Sequence, residues 1–317
     1  MTMRMKTKVV YVLVCSGKDT YFEQFLLSLL SLKYHDPERE VEVFMDPDSY
    51  GYVRKTGNAL LREGVTLQKA EVPNSGSGLF KSRYLKTTLR QRVEGDFLFL
   101  DTDTLVAGAL DEVDRTAGDV AAAASINGPA RGLTPFKRRL LSQAGFPESP
   151  DGAYFNSGVL LVRDTPLAAQ LFECWHALWQ VSFERNVPYD QPALYAANLR
   201  CGGIIRELPG KWNCLVTHDA GLHYFREALV IHWDSKNEGF KRKVLIPHVK
   251  ETGGHPDAFA RSVAMHPRAM GLGLFRPHRR TLVLEKGFSH LLFILKKYPG
   301  AFFSVLGLKE RISRRIH

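Results

Sequence analysis

Short apolar runs alternate along this chain with segments whose apolar residues recur at helical spacing. Residues 9–14 form a β-branched run typical of a strand covered on both faces, and residues 21–32 follow with the periodicity of a helix. Repeated alternation of this kind predicts an α/β fold with a mostly parallel sheet flanked by helices. The predicted strands are 9–14, 41–45, 96–100, 120–124, 158–162 and 228–232, and the predicted helices are 21–32, 50–62, 79–93, 167–185 and 191–198.

Charge divides the chain into two regions. The 317 residues include 43 Lys and Arg and 33 Asp and Glu, but the last 77 residues, from Lys241 onward, contain 16 basic and 4 acidic ones. The net charge is therefore +12 in this tail and −2 in residues 1–240. A difference in net charge of this size between two regions indicates separate modules. We predict a folded domain over 1–240 and a basic, partly amphipathic helical region over 241–317.

The end of the tail, residues 281–317, combines apolar stripes at helical spacing with basic side chains. Leu284, Phe288 and Leu291 fall on one stripe, and Lys296 and Lys297 follow it. A basic amphipathic segment binds an anionic membrane surface, with about 1 kcal/mol for each Lys or Arg near it. The alternative is a set of helices that pack on the folded domain and leave a solvated basic face. No RNA-binding motif or zinc finger accompanies the charge, so we predict no nucleic-acid partner.

Cysteine spacing and the lengths of the apolar runs bear on cellular location. The four cysteines have no spacing of the zinc-site type, which fits a reduced chain. The apolar run 9–15 is too short for a signal peptide and lacks a small-residue cleavage site. No stretch reaches the roughly 18 apolar residues of a spanning helix. We therefore predict a cytoplasmic protein. Its basic tail would hold it at the inner face of the plasma membrane.

The most informative motif is an apolar strand that ends in two carboxylates. Residues 97–103 read Phe-Leu-Phe-Leu-Asp-Thr-Asp. Side chains two residues apart on an extended segment point the same way, so we expect Asp101 and Asp103 to lie together. A cation between them would relieve their repulsion, and carboxylate oxygens suit Mg²⁺ or Mn²⁺. This strand end is also where α/β sheets bind ligands. The alternative is a pair of turn or helix-capping carboxylates.

Three later segments place polar side chains at the ends of predicted elements. Asn156 and Ser157 precede a predicted strand, where an amide and a hydroxyl can meet sugar hydroxyls. Asp190 and Gln191 open a predicted helix, and His232 ends the last predicted strand, where its imidazole could be a third metal ligand. The alternatives are a turn-forming Asn156, an N-cap Asp190 and a surface His232.

These motifs resemble, in the same order, those of glycosyltransferase family 8, which includes bacterial lipopolysaccharide galactosyl- and glucosyltransferases and glycogenin. The resemblance extends over about residues 8–240. It implies the GT-A nucleotide-diphospho-sugar fold, with a Rossmann-like sheet. It also implies retaining, metal-dependent transfer of a hexose from a UDP-sugar to a glycan or lipid-linked acceptor in cell-envelope polysaccharide synthesis. The segments that carry it are 97–106 with Asp101 and Asp103, 155–158, Asp190-Gln191, Lys211-Trp212-Asn213 and His232.

The resemblance further implies roles for individual residues. Cys15, Ser16 and Tyr21 would lie near the uracil and ribose, and Lys86 would approach the diphosphate. The implied metal is Mn²⁺, or alternatively Mg²⁺, held by Asp101, Asp103 and His232. The implied donor-binding residues are Cys15, Ser16, Tyr21, Lys86, Thr102, Asn156, Ser157 and Lys236, and the implied catalytic pair is Asp190 and Gln191.

The chemistry of sugar transfer agrees with these roles. Cleavage of the sugar–phosphate bond builds negative charge on the diphosphate, so a divalent cation and a lysine stabilise the transition state more than the ground state. A retaining enzyme also needs a polar group on the opposite face of the sugar, and Asp190 or Gln191 is the candidate nucleophile or oxocarbenium stabiliser. One segment departs from the family: its histidine is commonly followed by a glycine three residues on and then a lysine, whereas residues 232–236 read His-Trp-Asp-Ser-Lys.

Two other functions fit parts of the pattern. A metal-dependent phosphotransferase of the haloacid dehalogenase type also has D-x-D after a strand. In that class the motif follows the first strand and has Thr or Val at the fifth position, where this chain has Leu105. A non-catalytic membrane- or polymer-binding protein on a decayed GT-A fold would need only the basic tail. Nicotinamide binding is disfavoured because no G-x-G-x-x-G follows the first predicted strand.

Overall fold

The core of the structure is a seven-stranded sheet with a small second sheet beside it. The computed structural model describes residues 7–56, 64–73, 76–127, 132–216, 218, 220–221 and 224–233, so Lys236 and the region 241–317 lie outside the described residues. The strands are β1 (Lys8–Val12), β2 (Val41–Met45), β3 (Val65–Lys69), β4 (Phe97–Leu100), β5 (Thr104–Val106), β6 (Val120–Ala124), β7 (Phe155–Val162), β8 (Ile205–Leu208), β9 (Cys214–Leu215) and β10 (Val230–His232). The main sheet has the order β3-β2-β1-β4-β7-β6-β8 and the small sheet the order β5-β10-β9.

Most strand pairs of the main sheet are parallel, as predicted. β1 lies parallel to β2 and β4, β2 to β3, and β6 to β8. Only β7 among these seven described strands runs against its neighbours, β4 and β6. The predicted α/β fold is therefore confirmed, and the antiparallel β7 brings its amino-terminal residues to the carboxyl end of β4.

Helices cover both faces of the main sheet. They are α1 (Tyr21–His35), α2 (Pro47–Thr56), α3 (Gly78–Thr87), α4 (Glu112–Arg115), α5 (Pro135–Ala144), α6 (Pro166–Glu184) and α7 (Gln191–Arg200). Alternate residues of β1 point to opposite layers: Tyr11 lies in one core cluster with Phe25 of α1, and Val10 lies in the other with Trp175 of α6. Because both of their faces are buried, the inner strands β1, β4 and β6 read as continuous apolar runs.

The small sheet brings the end of the described chain back to the main sheet. β10 pairs antiparallel with β5, with His232 opposite Thr104. It also pairs parallel with β9, with His232 opposite Leu215. Since β5 begins directly after Asp103, this pairing sets His232 beside the turn that follows β4.

The helix predicted over 79–93 is shorter in the structure. α3 ends at Thr87, and a 3₁₀ turn follows at Leu89–Gln91. The hydroxyl of Thr87 donates to the carbonyl of Arg83 (2.8 Å), and that of Thr88 donates to the carbonyl of Tyr84 (2.9 Å). Threonine hydroxyls that bond to backbone carbonyls compete with the regular helical pattern, which accounts for the early end.

Other boundaries also differ from the prediction. The sequence pattern places Asn156 and Ser157 before a strand starting at 158, whereas β7 begins at Phe155 and contains both. α2 begins at Pro47 rather than at residue 50, because proline is well suited to the first turn of a helix. α5 lies between the strands predicted at 120–124 and 158–162, where no helix is predicted from the sequence. No helix within the described residues is long and apolar enough to cross a membrane.

Candidate active site

Asp101 and Asp103 lie in a tight turn between β4 and β5. The amide N–H of Asp101 donates to the carbonyl of Gly158 (2.8 Å), and the Thr104 hydroxyl donates to the carbonyl of Asp101 (2.8 Å). The prediction that an extended segment aligns the two carboxylates is therefore wrong in detail, because the turn orients them. Neither caps α4, which begins nine residues later at Glu112.

His232 faces the second carboxylate of this turn. The backbone N–H of Trp233 donates to the carbonyl of Asp103 (3.0 Å), and His232 Nε2 lies 3.2 Å from Asp103 Oδ1. His232 is only 8% exposed, so it is not a surface residue. Burial lowers the pKa of His232, but the Asp103 and Asp101 carboxylates together outweigh burial and hold this pKa above its usual value.

Asp101, Asp103 and His232 form a candidate metal-binding cluster. One potential ligand atom from each lies within 4.8 Å of the other two. Two carboxylates and one imidazole suit Mn²⁺, and the carboxylates also suit Mg²⁺. The donor set therefore fits the divalent cation that the sequence implies.

An amide network fixes the orientation of the His232 ring. Asn213 Nδ2 donates to Asn156 Oδ1 (2.8 Å), so Asn213 Oδ1 is the atom that faces His232 Nδ1, at 2.9 Å. An acceptor at this position requires the proton on Nδ1, and this hydrogen bond holds the ring with Nε2 toward Asp103. Buried hydrogen bonds of this kind commonly orient metal-binding histidines. Asn156 Oδ1 also accepts from the N–H of Gly158, two residues on (2.8 Å), which is the local hydrogen bond of an Asx turn made here within β7.

Asp190 is the centre of a buried charge cluster. This cluster lies next to the turn that holds Asp101 and Asp103, which we call the carboxylate turn. Lys86 Nζ lies 3.3 Å from Asp190 Oδ2, and the Ser157 hydroxyl donates to the same oxygen (2.8 Å). Arg83 Nε lies 3.4 Å from Asp190 Oδ1. Burial alone would raise the pKa of Asp190, but Lys86 and Arg83 outweigh it and, with the Ser157 hydroxyl, lower this pKa to about 2.

The Asp190 side chain does not cap α7. It makes no hydrogen bond to the first turn of this helix, and the carbonyl of Asp190 accepts from the indole N–H of Trp175 (2.9 Å). Asp190 is therefore held by the backbone while its ionised carboxylate points at Lys86. Asp190 thus stands at the N-cap position of α7, but its side chain makes no capping hydrogen bond there.

Lys86 connects this cluster to the candidate metal ligands. Its ammonium group lies 3.1 Å from Asp101 Oδ1 and 3.1 Å from the Ser157 hydroxyl. It also lies 4.7 Å from the centre of the Phe99 ring. With only 1% of its surface exposed, Lys86 is a buried cation shared by two carboxylates.

Two clefts meet at these charges. A larger one, of about 740 Å³, and a smaller one, of about 320 Å³, share Arg83, Lys86, Asp101 and Asp103. The predicted site residues divide between them. Cys15, Ser16, Tyr21 and Thr102 line the larger cleft, and Asn156, Ser157, Asp190, Gln191 and His232 line the smaller one.

Cys15 is a buried residue that lines the larger cleft, and its thiol is not a nucleophile. Its backbone N–H donates to the Ser49 hydroxyl (2.9 Å). Burial, together with the nearby Asp19 carboxylate, raises the pKa of the Cys15 thiol to about 12. A thiol with this pKa is protonated at neutral pH and reacts slowly. The Ser16 hydroxyl is turned to Asp19, to which it donates (2.8 Å).

Sequence reasoning missed several residues of the site. Asn213 and Gly158 fall inside the recognised segments, but no spacing rule marks them as neighbours of His232. In the sequence, Arg83, Lys86 and Arg90 recur at helical spacing, and this basic stripe fits a phosphate contact and a solvated helix face equally well. In the structure Arg90 leaves this stripe, because its guanidinium donates to the carbonyl of Gly95 (2.8 Å).

An ion-paired group in the larger cleft was also missed. Lys81 Nζ contacts Asp46 Oδ2 at 2.7 Å and Asp48 Oδ2 at 3.0 Å. Asp46 follows β2 and is almost completely buried. The ion pair of Lys81 with Asp46 joins α3 to the end of β2 across the cleft. In the sequence, the only sign of this ion pair is that Asp46 directly follows the carboxyl end of a predicted strand.

Comparisons with known proteins bear on the fold and the family. The profile of "Glycosyl transferase family 8" matches residues 68–241. No curated protein sequence matches the chain. Among solved structures, the glycosyltransferase GlyE of Streptococcus pneumoniae TIGR4 is 20% identical, with a TM-score of 0.51 over 73% of this chain and 56% of GlyE.

Two further structures are similar. The galactosyltransferase LgtC, solved with donor and acceptor sugar analogs, is 17% identical, with a TM-score of 0.53 over 76% of this chain and 94% of LgtC. The bifunctional glycosyltransferase WbbM is 16% identical, with a TM-score of 0.51 over 75% of this chain and 47% of WbbM. The matched region is thus about half the length of GlyE and WbbM. At these identities the likeness shows the shared fold, and the predicted GT-A fold is confirmed.

Proposed function

The chain belongs to glycosyltransferase family 8, and from this premise we propose that it transfers a hexose from a UDP-sugar, with retention, to a glycan or lipid-linked acceptor in cell-envelope polysaccharide synthesis. The observation that carries the proposal is the meeting of Asp101, Asp103 and His232 at the junction of two clefts, next to the ionised Asp190.

Asp101, Asp103 and His232 would hold a divalent cation, Mn²⁺ or Mg²⁺. When bound, the cation would supply positive charge that stabilises the departing diphosphate. The chain contributes the orientation of its ligands, because Asn213 presents the Nε2 atom of His232 and the turn after β4 fixes the two carboxylates.

Arg83 and Lys86 support a diphosphate position in the larger cleft. Both line it, and both are held close to carboxylates, which keeps the cations in place before a donor arrives. Arg83 Nε makes no hydrogen bond to any described residue, although it is buried and lies near Asp190. A buried N–H donor without an acceptor is costly, so a phosphate oxygen there would bind favourably.

Asp190 is the candidate for the opposite face of the sugar, with Gln191 beside it. The depressed pKa keeps Asp190 ionised at neutral pH. An ionised carboxylate can stabilise an oxocarbenium ion or attack the anomeric carbon, but it cannot act as a general acid. Asn156 and Ser157 line the same small pocket and would contact sugar hydroxyls. Cys15, Ser16, Tyr21 and Thr102 would contact the nucleoside side of the donor.

Titration of UDP with and without Mn²⁺ tests the proposal. We expect Mn²⁺ to strengthen UDP binding to the wild-type chain and to have no effect on Asp103→Asn. Asp111→Asn is the matched control, because Asp111 is a carboxylate with a 65% exposed side chain that lines neither cleft. Equal metal dependence in wild type and Asp103→Asn would remove the support. A panel of UDP-sugars, assayed for hydrolysis and transfer, would identify the donor, and inactivity with every member would favour a decayed enzyme fold.

We also propose that residues 1–240 are the catalytic module and that residues 281–317 bind the inner face of the membrane. The support is the charge contrast of +12 in the last 77 residues against −2 before them. The full chain should co-sediment with phosphatidylglycerol vesicles and not with phosphatidylcholine vesicles, and a chain lacking 281–317 should bind neither. Unchanged sedimentation after the deletion would contradict the membrane role.

A further inference from the structure

Two exposed aromatic rings meet beside the larger cleft. Phe136, on the first turn of α5, and Tyr189, just before α7, have ring centres 6.5 Å apart and planes inclined by 71°. Phe136 is 52% exposed and Tyr189 is 44% exposed. The two rings therefore form an open corner, and we call this pair the aromatic corner.

A cation lies on the same corner. The guanidinium carbon of Arg139 is 5.4 Å from the centre of the Phe136 ring. Its two basic neighbours are engaged elsewhere: Arg138 pairs with Glu148, and Lys137 is buried with its ammonium group 4.6 Å from the Tyr154 ring. Arg139 is exposed, and within the part of the chain that the structure describes no carboxylate forms an ion pair with it.

The corner adjoins the residues assigned to sugar transfer. Tyr189 lines the larger cleft, and the next residue, Asp190, lines the small pocket with the candidate metal ligands. A molecule resting on the corner would therefore lie at the mouth of the site, near the carboxylate that faces the donor sugar. Exposed apolar surface beside a cleft commonly marks a binding site.

We propose that the aromatic corner with Arg139 is an acceptor subsite for a hexose ring that carries an acidic substituent. The C–H face of a pyranose packs on an aromatic ring while its hydroxyls stay in water, which suits a half-exposed ring. Arg139 adds a charged, bidentate donor for a carboxylate. The inference rests on the proposed function, because it assigns the acceptor of that reaction.

Ligand-observed NMR titration of the full chain tests the subsite with two probes, methyl β-glucuronide and methyl β-glucoside. Both are titrated in the presence of UDP and Mn²⁺. We expect the wild-type chain to bind the glucuronide more tightly than the glucoside. Phe136→Ala should weaken both by about fivefold, the typical worth of one aromatic contact. Arg139→Gln should remove the preference for the glucuronide and leave glucoside binding unchanged.

The controls separate this inference from the proposed function. Phe136→Leu guards against loss of packing, and it should also weaken both probes because it lacks the ring. Tyr34→Ala removes a ring of similar exposure, on α1, and should change neither probe. Affinity for UDP with Mn²⁺ should be unchanged in the Phe136 and Arg139 variants, so a failure of UDP binding in the wild type counts against the proposed function alone.

Three results would overturn the subsite. The first is that neither glycoside binds the wild-type chain. The second is that Phe136→Ala and Tyr34→Ala bind both probes equally well. The third is a dimer, detected by sedimentation, that Phe136→Ala dissolves, because it would assign the corner to a second copy of the chain.

Discussion

Gly158 lies directly against the imidazole ring of His232. A Cβ atom on Gly158 would lie 2.3 Å from His232 Cε1 and 2.8 Å from Asp101 Oδ2, much closer than a Cβ atom approaches its neighbours in proteins. β7 and the carboxylate turn thus meet His232 at a position where only a hydrogen fits. The candidate metal cluster therefore requires glycine, which has no side chain, at position 158.

The first prediction is that Gly158→Ala displaces His232 and weakens Mn²⁺ binding more than about tenfold, as loss of a well-oriented ligand does. Isothermal titration with Mn²⁺ measures it. Gly51→Ala is the control: Gly51 lies in α2, and a Cβ atom added there would have nothing within 4 Å, so this substitution should raise the free energy of unfolding by about 0.5–1 kcal/mol and leave Mn²⁺ binding unchanged. Equal Mn²⁺ affinity in both variants would show that His232 does not need this clearance.

The second prediction concerns Asn213, which touches His232 but is not a candidate ligand. Asn213→Ala should lower Mn²⁺ affinity by about 10- to 100-fold, because the His232 ring loses the acceptor that fixes its tautomer. Asn213→Asp keeps an acceptor oxygen and should restore much of the affinity. Equal Mn²⁺ affinity in Asn213→Ala and Asn213→Asp would mean that Asn213 only supports the backbone.

The fold could be predicted because its main strands are buried on both faces. β1, β4 and β6 follow from apolar runs alone, and β2 follows from an apolar run that Glu42 interrupts. Other strands escape prediction for physical reasons: β5 has three residues and β9 two, too few for a period to emerge. β3 lies at the edge of the sheet and has no continuous apolar run, since none of its five residues is fully buried and apolar side chains occupy only two positions, Val65 and Leu67.

The meeting of the three candidate ligands could be predicted from the sequence, but the contacts that orient them could not. The carboxylate pair ends an apolar strand, which the sequence displays directly. The approach of His232 depends on the small sheet, whose pairing joins His232 to the distant Thr104. The hydrogen bond of Asn213 and the clearance at Gly158 are set by that pairing, so no local pattern reports them.

The third prediction is that Lys86→Met destabilises the fold strongly. Lys86 is buried between Asp101 and Asp190, so its removal leaves two carboxylates close together with less compensation. We expect the free energy of unfolding to fall by about 3–5 kcal/mol, as for other broken buried pairs. Lys211→Met, which breaks a surface pair with Glu112 (2.7 Å), should cost about 0–1 kcal/mol. Urea unfolding measures both, and similar losses in the two variants would contradict the buried role of Lys86.

The fourth prediction is a pH dependence that comes from Asp190. Its folded-state pKa of about 2 lies below the unfolded value of about 3.9, so the folded chain binds fewer protons than the unfolded chain between these pH values. The stabilisation is therefore complete above about pH 5 and is lost as the pH falls toward 2. Asp190→Asn should lower the free energy of unfolding by roughly 2 kcal/mol at pH 7, and the difference from wild type should shrink between about pH 4 and pH 2. Urea unfolding at several pH values measures this difference, with Asp151→Asn as a control at an exposed carboxylate that should follow wild type throughout. A difference between Asp190→Asn and wild type that stays constant down to about pH 2 would mean that the carboxylate is not held ionised by Lys86 and Arg83.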